Sequence, residues 1–400
     1  MKNRDLYLHR LIEFKDKSLI KVITGLRRSG KSTLLSLFEE HLLKSGVQKN
    51  QIIRMNFESL EFDEINTYKT LYAYIMERIS DRKIKHYIIL DEIQQVESWE
   101  KVVNSLLVDV NADLYITGSN AYLLSSELST LLAGRYVEIK MLPLSFKEYL
   151  DFLDQESPLS LPEKFNQYLL YGGLPTIVEL LEHKDTIGPF LEGIYNTVLM
   201  KDVVERNGVR DVALLESILK YIAANIGSVV STKKITDYLT SSGRKTTGET
   251  IDNYLKMLES AYIIYKANRY DLKGKMFLKT LEKYYMVDIG IRNKLTGLQG
   301  TDYGHVLENI VYLELIRRGY DVAIGKVGTL EVDFIATKTS EKFYYQISAS
   351  ILNEETRIRE LRPLESISDQ YPKFILTMDQ NIFNDFSGIK VKNIMDFLLE

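Results

Sequence analysis

A glycine-rich segment near the amino terminus has the composition and spacing of a phosphate-binding loop. It reads Gly25-Leu-Arg-Arg-Ser-Gly-Lys-Ser32 and satisfies the pattern G-x-x-x-x-G-K-[ST]. Small residues at the turns let backbone amides converge on a phosphate, and the helix that follows adds positive potential at its N-terminus. In this pattern Lys31 reaches the β- and γ-phosphates of a nucleotide and Ser32 binds Mg²⁺. The residues predicted to bind the nucleotide are Gly25, Arg28, Ser29, Gly30, Lys31, Ser32 and Thr33.

Two consecutive carboxylates end an apolar segment further along the chain, His86-Tyr-Ile-Ile-Leu-Asp-Glu92. When such a pair follows a phosphate-binding loop in the chain, Asp91 would bind Mg²⁺ through water, and Glu92 would polarise the water that attacks the γ-phosphate. An isolated pair of this kind is often only a solvated strand end. The preceding loop favours the catalytic interpretation.

Polar residues also end the next apolar segment, Leu114-Tyr-Ile-Thr-Gly-Ser-Asn120. Ser119 or Asn120 is the candidate to orient the same water, although polar strand ends are common. Arg135 is the candidate to sense or neutralise the γ-phosphate, from its own or a neighbouring subunit. An ordinary exposed arginine is the alternative at that position.

The elements around these residues alternate between strand and helix. Apolar, β-branched segments predict strands at 19–24, 51–59, 86–94 and 112–120, with helical patterns between them. Strands that alternate with helices indicate a parallel sheet covered on both faces, and with the glycine-rich loop after the first strand this is the α/β fold of a P-loop NTPase. We expect this domain to span residues 1–150, followed by a helical linker or lid at 151–206.

Residues 207–282 predict three helices and a strand pair, the pattern of a winged helix-turn-helix. Between residues 207 and 279 there are 12 Lys or Arg against 7 Asp or Glu, although the whole chain carries a net charge of −4. Basic residues interleaved with Tyr265 and Tyr270 suit phosphate contacts and stacking. A packing module between domains is the alternative. The candidate DNA contacts are Arg244, Lys245, Arg269, Lys273 and Lys275, with Lys266 and Lys279 in the same cluster.

Residues 283–400 predict a small α/β domain in which a helix precedes a strand hairpin. Glu308 lies on the helix, Asp333 on one strand and Gln346 on the next, the order in which restriction-endonuclease-like folds hold Mg²⁺. The helper lysine expected two residues after the last ligand is replaced by Ser348. Lys326 or Lys342 is the candidate to replace this helper lysine. We expect a vestigial nuclease site that does not cleave DNA.

Composition excludes several other classes. The 400 residues suit two to four domains, and no apolar run is long enough to span a bilayer. The amino terminus lacks the apolar core of a secretory signal, so the expected compartment is the cytoplasm. The absence of Cys excludes disulfides, thiolate zinc sites and iron–sulfur clusters.

The ordered set of motifs resembles a widespread bacterial and archaeal family of AAA-type ATPases. The segments that carry the resemblance are IKVITGLRRSGKSTLL, HYIILDEIQ, YITGSN, LAGRY, PLSFKEYL, YGGLP, LMKDVVERN, KYYMVDIGIRN and GHVLENIVYLELIRRGYDV. The C-terminal domain of that family, of unknown function, looks like a degenerate PD-(D/E)XK nuclease fold. The resemblance implies ATP and Mg²⁺ as cofactors, hydrolysis at Asp91 and Glu92, a polar sensor at Ser119 or Asn120, and a winged-helix linker.

Two functions from different classes follow. The first is an ATPase that couples ATP binding or hydrolysis to rearrangement of the later domains and acts on DNA. The second is a nucleotide-dependent switch of the STAND type that controls a protein partner without DNA chemistry. A small-molecule kinase is disfavoured because Glu92 directly follows Asp91 and two further domains are present. The expected partners are DNA, a protein or further copies of this chain, and no membrane.

Overall fold

A computed structural model describes residues 2, 4–119, 132, 134–153, 157–297, 303–380 and 385–400, without the side chains of residues 279 and 280. The chain forms two compact units. The first contains residues 1–141 and 260–262, and the second contains residues 142–259 and 263–400.

The first unit contains a five-stranded parallel sheet in the order β2-β3-β4-β1-β5. Its strands are β1 (Ile20–Thr24), β2 (Ile52–Asn56), β3 (His86–Asp91), β4 (Ala112–Gly118) and β5 (Tyr136–Lys140). Its α-helices among the described residues are α1 (Asp5–Glu13), α2 (Lys31–Lys44), α3 (Tyr68–Arg78) and α4 (Trp99–Asp109). Single 3₁₀ turns lie at Lys49–Gln51, Leu60–Phe62 and Ile93–Gln95.

Helices cover both faces of this sheet, so the central strands are buried throughout. In β3, Ile88 and Leu90 pack into a core with α3 and α4. Tyr87 and Ile89 point to the opposite face and pack with α1 and α2. This alternation is the two-residue period of a strand, and burial on both faces explains why the strand sequences are almost uniformly apolar. The predicted α/β fold with a parallel sheet is confirmed.

The fifth strand was not among the predicted strands. β5 pairs in parallel with β1, in register from Ile20 opposite Tyr136 to Thr24 opposite Lys140. It lies at the edge of the sheet, and Glu138 and Lys140 are exposed. Charged side chains are common on edge strands, and here they interrupt the apolar pattern that identifies the other four.

The second unit begins with helices and contains a nine-stranded mixed sheet. Its α-helices are α5 (Phe146–Phe152), α6 (Leu161–Tyr171), α7 (Pro175–Leu180), α8 (Ile187–Thr197), α9 (Val212–Ala224), α10 (Thr232–Ser241), α11 (Gly248–Ser260), α12 (Ile289–Thr296), α13 (Tyr303–Arg317), α14 (Glu354–Glu365) and α15 (Ile394–Leu399). A 3₁₀ segment, Leu181–Thr186, follows α7, and a π-helical segment, Val198–Glu205, continues α8.

The strands of the second unit run in the order β13-β14-β12-β11-β10-β9-β7-β8-β6. They are β6 (Val229–Val230), β7 (Ile264–Asp271), β8 (Met276–Met286), β9 (Asp321–Val327), β10 (Leu330–Lys338), β11 (Glu341–Ser348), β12 (Lys373–Thr377), β13 (Asp385–Phe386) and β14 (Ile389–Asn393).

Strand β8 crosses the boundary predicted between residues 282 and 283. Its last residues pair antiparallel with β7, Tyr284 opposite Lys266 and Met286 opposite Ile264. On its other side β7 pairs in parallel with β9. Backbone hydrogen bonds therefore join the hairpin of the predicted winged helix and the strands of the predicted nuclease-like domain into one sheet, which the sequence-based division separated.

A buried aspartate joins two segments, YGGLP and VDIGIRN, that lie far apart in the chain. Asp288 begins α12 and accepts hydrogen bonds from the backbone N–H of Ile291 at 3.1 Å and of Gly173 at 2.7 Å. A Cβ on Gly172 would lie 2.2 Å from Asp288 Oδ1, and Gly172 has φ of +86°. Glycine is therefore required where the carboxylate meets this loop.

No helix in the described parts of the chain is both long enough and apolar enough to cross a lipid bilayer.

Replacing Asp288 by Ala should destabilise the second unit, because the buried N–H groups of Gly173 and Ile291 lose their acceptor. We expect the free energy of unfolding to fall by about 2 kcal/mol or more in urea denaturation followed by circular dichroism. Asp288→Asn keeps one acceptor oxygen and should be intermediate. An Asp288→Ala protein as stable as the wild type would contradict this role.

Candidate active site at the phosphate loop

The loop after β1 depends on two glycines in conformations that side chains disfavour. Gly25 has φ of +141°, and a Cβ there would lie 2.1 Å from the carbonyl oxygen of Met141. Gly30 has φ of +100° and immediately precedes α2. The two glycines of the sequence pattern are therefore the positions where the backbone turns, and the turn brings the loop onto the N-terminus of α2.

Lys31 is buried at the start of α2 with its ammonium inside the loop. Its Nζ donates hydrogen bonds to the carbonyl oxygens of Gly25 at 3.0 Å and Leu26 at 3.3 Å. Glu92 Oε1 lies 3.5 Å from the same atom. Burial lowers the pKa of the Lys31 ammonium below its ordinary value, although the charges of Glu92 and Asp91 oppose the shift.

The other predicted loop residues differ in exposure. Arg28 and Thr33 are exposed, Ser32 is half-buried and Ser29 is buried. The carbonyl oxygen of Ser29 accepts a hydrogen bond from the buried Arg4 Nη1 at 2.9 Å. Sequence reasoning missed Arg4, since nothing in the pattern relates a residue before α1 to the loop.

Asp91 and Glu92 lie together at the carboxyl end of β3, as predicted. The Thr117 hydroxyl on β4 donates to Asp91 Oδ1 and accepts a hydrogen bond from the Glu92 N–H at 2.9 Å. Among the described residues, Asp91 Oδ2 is a buried oxygen without a hydrogen-bond partner. Burial raises the pKa of Asp91, and the hydroxyls of Thr117 and Ser32 oppose the shift.

Glu92 adopts a left-handed backbone conformation, with φ of +56°. Only a few per cent of residues other than glycine do so, and such strain clusters at functional sites. The hydrogen bond from its N–H to Thr117 holds this conformation, and the Gln94 amide donates to Glu92 Oε2. The carboxylate is thereby directed between Gln94 and Lys31.

Thr117, rather than Ser119, contacts the Asp91 carboxylate and the backbone N–H of Glu92. Ser119 is buried, and within the described part of the chain its hydroxyl has no hydrogen-bond partner. Asn120 lies outside the described residues. Arg135 is exposed and directly precedes β5, where its carbonyl oxygen accepts a hydrogen bond from Ile20 N–H at 2.8 Å. The roles suggested for Ser119, Asn120 and Arg135 stay predictions.

The predicted DNA contacts divide into exposed and buried residues. Arg244, Lys245, Lys273 and Lys275 are exposed, as is Lys266. Arg269 is different, because its side chain is only 12% exposed and lies 3.8 Å from Glu331 Oε2. Arg269 therefore belongs to a partly buried ion pair and does not extend the exposed basic surface. The side chain of Lys279 lies outside the described part of the structure.

Glu308, Asp333 and Gln346 come together in the second unit, as the predicted nuclease-like order requires. The Asp333 N–H donates to Gln346 Oε1 at 3.3 Å, and Asp333 Oδ2 accepts from the Ile347 N–H at 2.8 Å. An irregularity in the pairing of β10 with β9 lies between Val332 and Ile335, next to Asp333. A β-bulge changes the direction in which side chains leave the strand, and this irregularity includes Asp333.

A lysine that sequence reasoning missed lies at the centre of this group. Lys283 Nζ is 2.9 Å from Glu308 Oε1, 2.9 Å from Glu331 Oε1 and 4.0 Å from Asp333 Oδ1. Burial alone would lower the pKa of Lys283, but the charges of Glu308, Asp333 and Glu331 outweigh it and the pKa lies above its ordinary value. Lys283 therefore stays charged at neutral pH.

The lysines proposed as substitutes for the missing nuclease lysine occupy other positions. Lys342 Nζ lies 3.1 Å from Asp369 Oδ2, and Lys326 on β9 pairs in register with Glu331. Ser348 donates its hydroxyl hydrogen bond to the carbonyl oxygen of Ser350. Lys342 therefore pairs with Asp369, and the ammonium beside Glu308 and Asp333 is that of Lys283. The role suggested for Lys326 stays a prediction.

Comparison with known proteins places both units in described families. Residues 17–150 match the AAA domain, and residues 162–302 match a domain of unknown function, DUF8612. An uncharacterised protein of Haemophilus influenzae is 43% identical over 402 residues, covering 100% of this chain and 99% of the relative. The chain belongs to this family of AAA-type P-loop ATPases. An archaeal member, the uncharacterised protein MJ1544 of Methanocaldococcus jannaschii, is 32% identical and covers 91% of this chain and 80% of its own length.

The fold of this AAA-type chain also occurs in a solved structure. The Walker-type ATPase PABY2304 of Pyrococcus abyssi superposes with a TM-score of 0.53 at 18% identity, over 74% of this chain and 96% of the other. The predicted resemblance to AAA-type ATPases with a C-terminal domain of unknown function is confirmed.

Thr117→Val should destabilise the first unit while keeping its shape, because the buried Asp91 Oδ1 and the Glu92 N–H both lose their partner. The free energy of unfolding should fall by about 1–3 kcal/mol. Thr117→Ser keeps the hydroxyl and should lose much less. Equal stability of the Val variant and the wild type in chemical denaturation would show that the hydroxyl does not hold these two residues.

Proposed function

We propose that the chain hydrolyses ATP at residues 25–33 in a reaction that requires Mg²⁺. One observation carries this proposal: a phosphate-binding lysine, a buried metal-binding carboxylate and a catalytic carboxylate meet at one strand end. Lys31 Nζ lies 3.5 Å from Glu92 Oε1, and one Thr117 hydroxyl connects Glu92 with Asp91. Membership of the AAA family supports the nucleotide as ligand.

The loop would bind the phosphates through backbone N–H groups and through one fixed cation. The positive φ of Gly25 and Gly30 lets the backbone approach the phosphates closely, and the N-terminus of α2 adds positive potential. Lys31 donates to two loop carbonyls, and a phosphate is a much stronger acceptor for its ammonium. The predicted residues from Gly25 to Thr33 would thus surround the phosphates, with the Lys31 ammonium at the centre of the loop.

Ser32 and Asp91 fit a magnesium ion. Oxygen ligands are those that Mg²⁺ prefers, and Asp91 offers a buried oxygen that no donor uses in the described part of the chain. The Ser32 hydroxyl lies near enough to lower the pKa of that carboxyl group. When bound, the ion would neutralise charge on the β- and γ-phosphates.

Glu92 would act as the general base. Its carboxylate takes a proton from the attacking water, whose oxygen then bonds to the γ-phosphorus as the bond to the ADP oxygen breaks. The Gln94 amide contacts this carboxylate directly, and Thr117 holds the backbone N–H of Glu92. Thr117 is a positioning residue, because it contacts Asp91 and Glu92 and not the reacting atoms.

Lys31→Ala and Glu92→Gln should separate binding from hydrolysis. Lys31→Ala removes the cation in the loop, so nucleotide binding should weaken strongly and turnover should cease. Glu92→Gln keeps the shape and loses only the base, so ATP should stay bound while the hydrolysis rate falls by roughly 100-fold or more. Calorimetric titration and phosphate release measure the two effects. Undiminished hydrolysis in Lys31→Ala would contradict the site, and equal loss of binding in both variants would make Glu92 structural.

We further propose that the second unit contacts DNA through the tip of the β7–β8 hairpin. Lys273 and Lys275 are exposed at this tip, and the neighbouring Phe277 is 63% exposed. Phe277 packs edge-on against Tyr270, with ring centroids 5.1 Å apart. Positive charge beside an exposed ring suits contacts with phosphates and bases.

The helix that would read bases in a winged helix-turn-helix is poorly suited to do so. The exposed residues of α11 include Glu249 and Asp252, with Lys256 as their basic neighbour. Carboxylates on that face would repel the DNA backbone. We therefore expect phosphate contacts from the hairpin, without sequence readout.

A nucleotide-dependent switch that controls a protein partner is the second candidate function. The same acidic face of α11 favours it, because a surface that repels DNA can still bind a basic protein segment. Stimulation of ATP turnover by DNA distinguishes the two functions, since a switch for a protein partner has no reason to respond to DNA.

Replacing Lys273 and Lys275 together by Gln should weaken DNA binding and flatten its dependence on salt. Each lost phosphate contact removes about one released counterion from the salt slope. The double variant Lys44→Gln/Lys49→Gln removes the same charge from two lysines that are each 74% exposed in the first unit. Fluorescence anisotropy at several salt concentrations compares them. An unchanged slope in the hairpin variant, or an equal effect in the control, would contradict the hairpin contact.

A further inference from the structure

The acidic group of the second unit is arranged around an ammonium. Lys283 is buried and lies within 2.9 Å of an oxygen of Glu308 and of an oxygen of Glu331, with Asp333 Oδ1 at 4.0 Å. These carboxylates come from α13 and β10, and the lysine comes from β8. One positive charge thus faces acidic side chains from two separate elements.

One carboxylate oxygen of Glu308 and one of Asp333 already accept hydrogen bonds from protein donors. Glu308 Oε1 accepts a hydrogen bond from Lys283 and another from the Tyr285 hydroxyl at 2.6 Å. Asp333 Oδ2 accepts from the backbone N–H of Ile347. Gln346, where a nuclease has its last acidic ligand, donates its amide to Glu360 Oε2 at 2.9 Å. In the described residues, no group of three or more His, Asp or Glu side chains is arranged to hold a metal ion.

The group therefore does not fit the magnesium ion that a nuclease-like fold implies. Mg²⁺ requires about 2.0–2.1 Å to its oxygens and near-octahedral geometry. An ammonium needs only hydrogen-bond distances and supplies one fixed charge. The carboxylates around Lys283 lie at the distances that an ammonium needs.

We propose that Lys283 is an internal cation that replaces a divalent metal in this acidic centre. Its side chain places one fixed positive charge among the carboxylates and fixes β8 to α13 and β10, so the centre serves structure and not phosphodiester cleavage. Removal of the lysine side chain takes away the ammonium that Glu308, Glu331 and Asp333 share and leaves these carboxylates around the volume that it filled. The centre then becomes a site for a divalent cation.

The surroundings support both parts of this proposal. Asn309, next to Glu308, accepts from the Met286 N–H at 2.7 Å and donates to the Met286 carbonyl oxygen at 2.8 Å, so helix and strand are held at fixed separation. A Cβ on Gly227 would lie 3.0 Å from Glu308 Oε2, which places backbone close to the carboxylate. The Glu331 side chain is 32% exposed and provides a route for ions from solvent.

The first test measures Mn²⁺ binding to the full-length protein by electron paramagnetic resonance in the absence of nucleotide. Wild type and Asp333→Asn should bind equally, because the centre holds no metal in either. Neither should nick supercoiled DNA with Mg²⁺ or Mn²⁺. Binding or nicking by wild type that is lost in Asp333→Asn would overturn the proposal, and this arm does not depend on the folding of any Lys283 variant.

The second test uses Lys283→Ala. This variant should bind one more equivalent of Mn²⁺ than wild type, and millimolar Mn²⁺ should raise its melting temperature by several degrees. Both gains should vanish in Lys283→Ala/Asp333→Asn. Lys342→Ala, which removes a lysine paired with Asp369, serves as the control and should gain no site.

The variant remains informative when it folds poorly. Recovery of folded Lys283→Ala by Mn²⁺, but not by an equal concentration of K⁺, supports the proposal. If Lys283→Ala or the larger Lys283→Gln folds and binds no additional Mn²⁺, the centre is not a latent cation site and the proposal is wrong.

Discussion

The hydrogen bonds of the Thr117 hydroxyl determine how the phosphate site is assembled. Asp91 is a fully buried carboxyl group, and a buried charge without partners costs several kcal/mol. Thr117 supplies a donor to Asp91 and an acceptor to the Glu92 N–H, so one side chain of β4 fixes the Asp91 carboxylate and the backbone of Glu92 at the end of β3. The carboxyl ends of parallel strands share one edge of the sheet, and β1 delivers the glycine-rich loop to the same edge.

The second unit also buries charged groups that need partners. Asp288 is buried and accepts backbone N–H groups from its own helix and from the loop at Gly173, which joins two distant segments. Lys283 is buried and faces three carboxylates. In each case a charged group is taken out of water only where opposite charges or backbone dipoles surround it. Each such group therefore connects elements that the chain sequence separates.

Sequence reasoning identified the residues that belong to local patterns. The loop from Gly25 to Thr33 and the pair Asp91–Glu92 are recognisable because chemistry fixes both residue type and spacing. Glu308, Asp333 and Gln346 were brought together correctly, since a helix followed by a hairpin has few ways to pack.

The partners that sequence reasoning missed all come from pairing across distant elements. Lys283 is the first residue of the domain predicted for residues 283–400 and lies on a strand that crosses the predicted boundary. Its neighbours Glu308 and Glu331 lie much later in the chain, on α13 and on β10. Thr117 was passed over for Ser119 and Asn120, because strand register decides which polar residue faces Asp91. The available signal was that Thr117, the residue before the last one of β4, is a polar residue in a mostly apolar strand. Such residues are candidates to contact the polar end of a neighbouring strand.

The central claim is that nucleotide and metal bind where the loop meets Asp91, and that the acidic centre around Lys283 binds no metal. A crystal structure with a non-hydrolysable ATP analogue and Mn²⁺, using anomalous scattering to locate the metal, tests both statements together. We expect a manganese peak between Ser32 and Asp91 with the phosphates against Lys31, and no peak at Glu308 and Asp333. Nucleotide bound elsewhere, or manganese at Glu308 and Asp333, would contradict this claim.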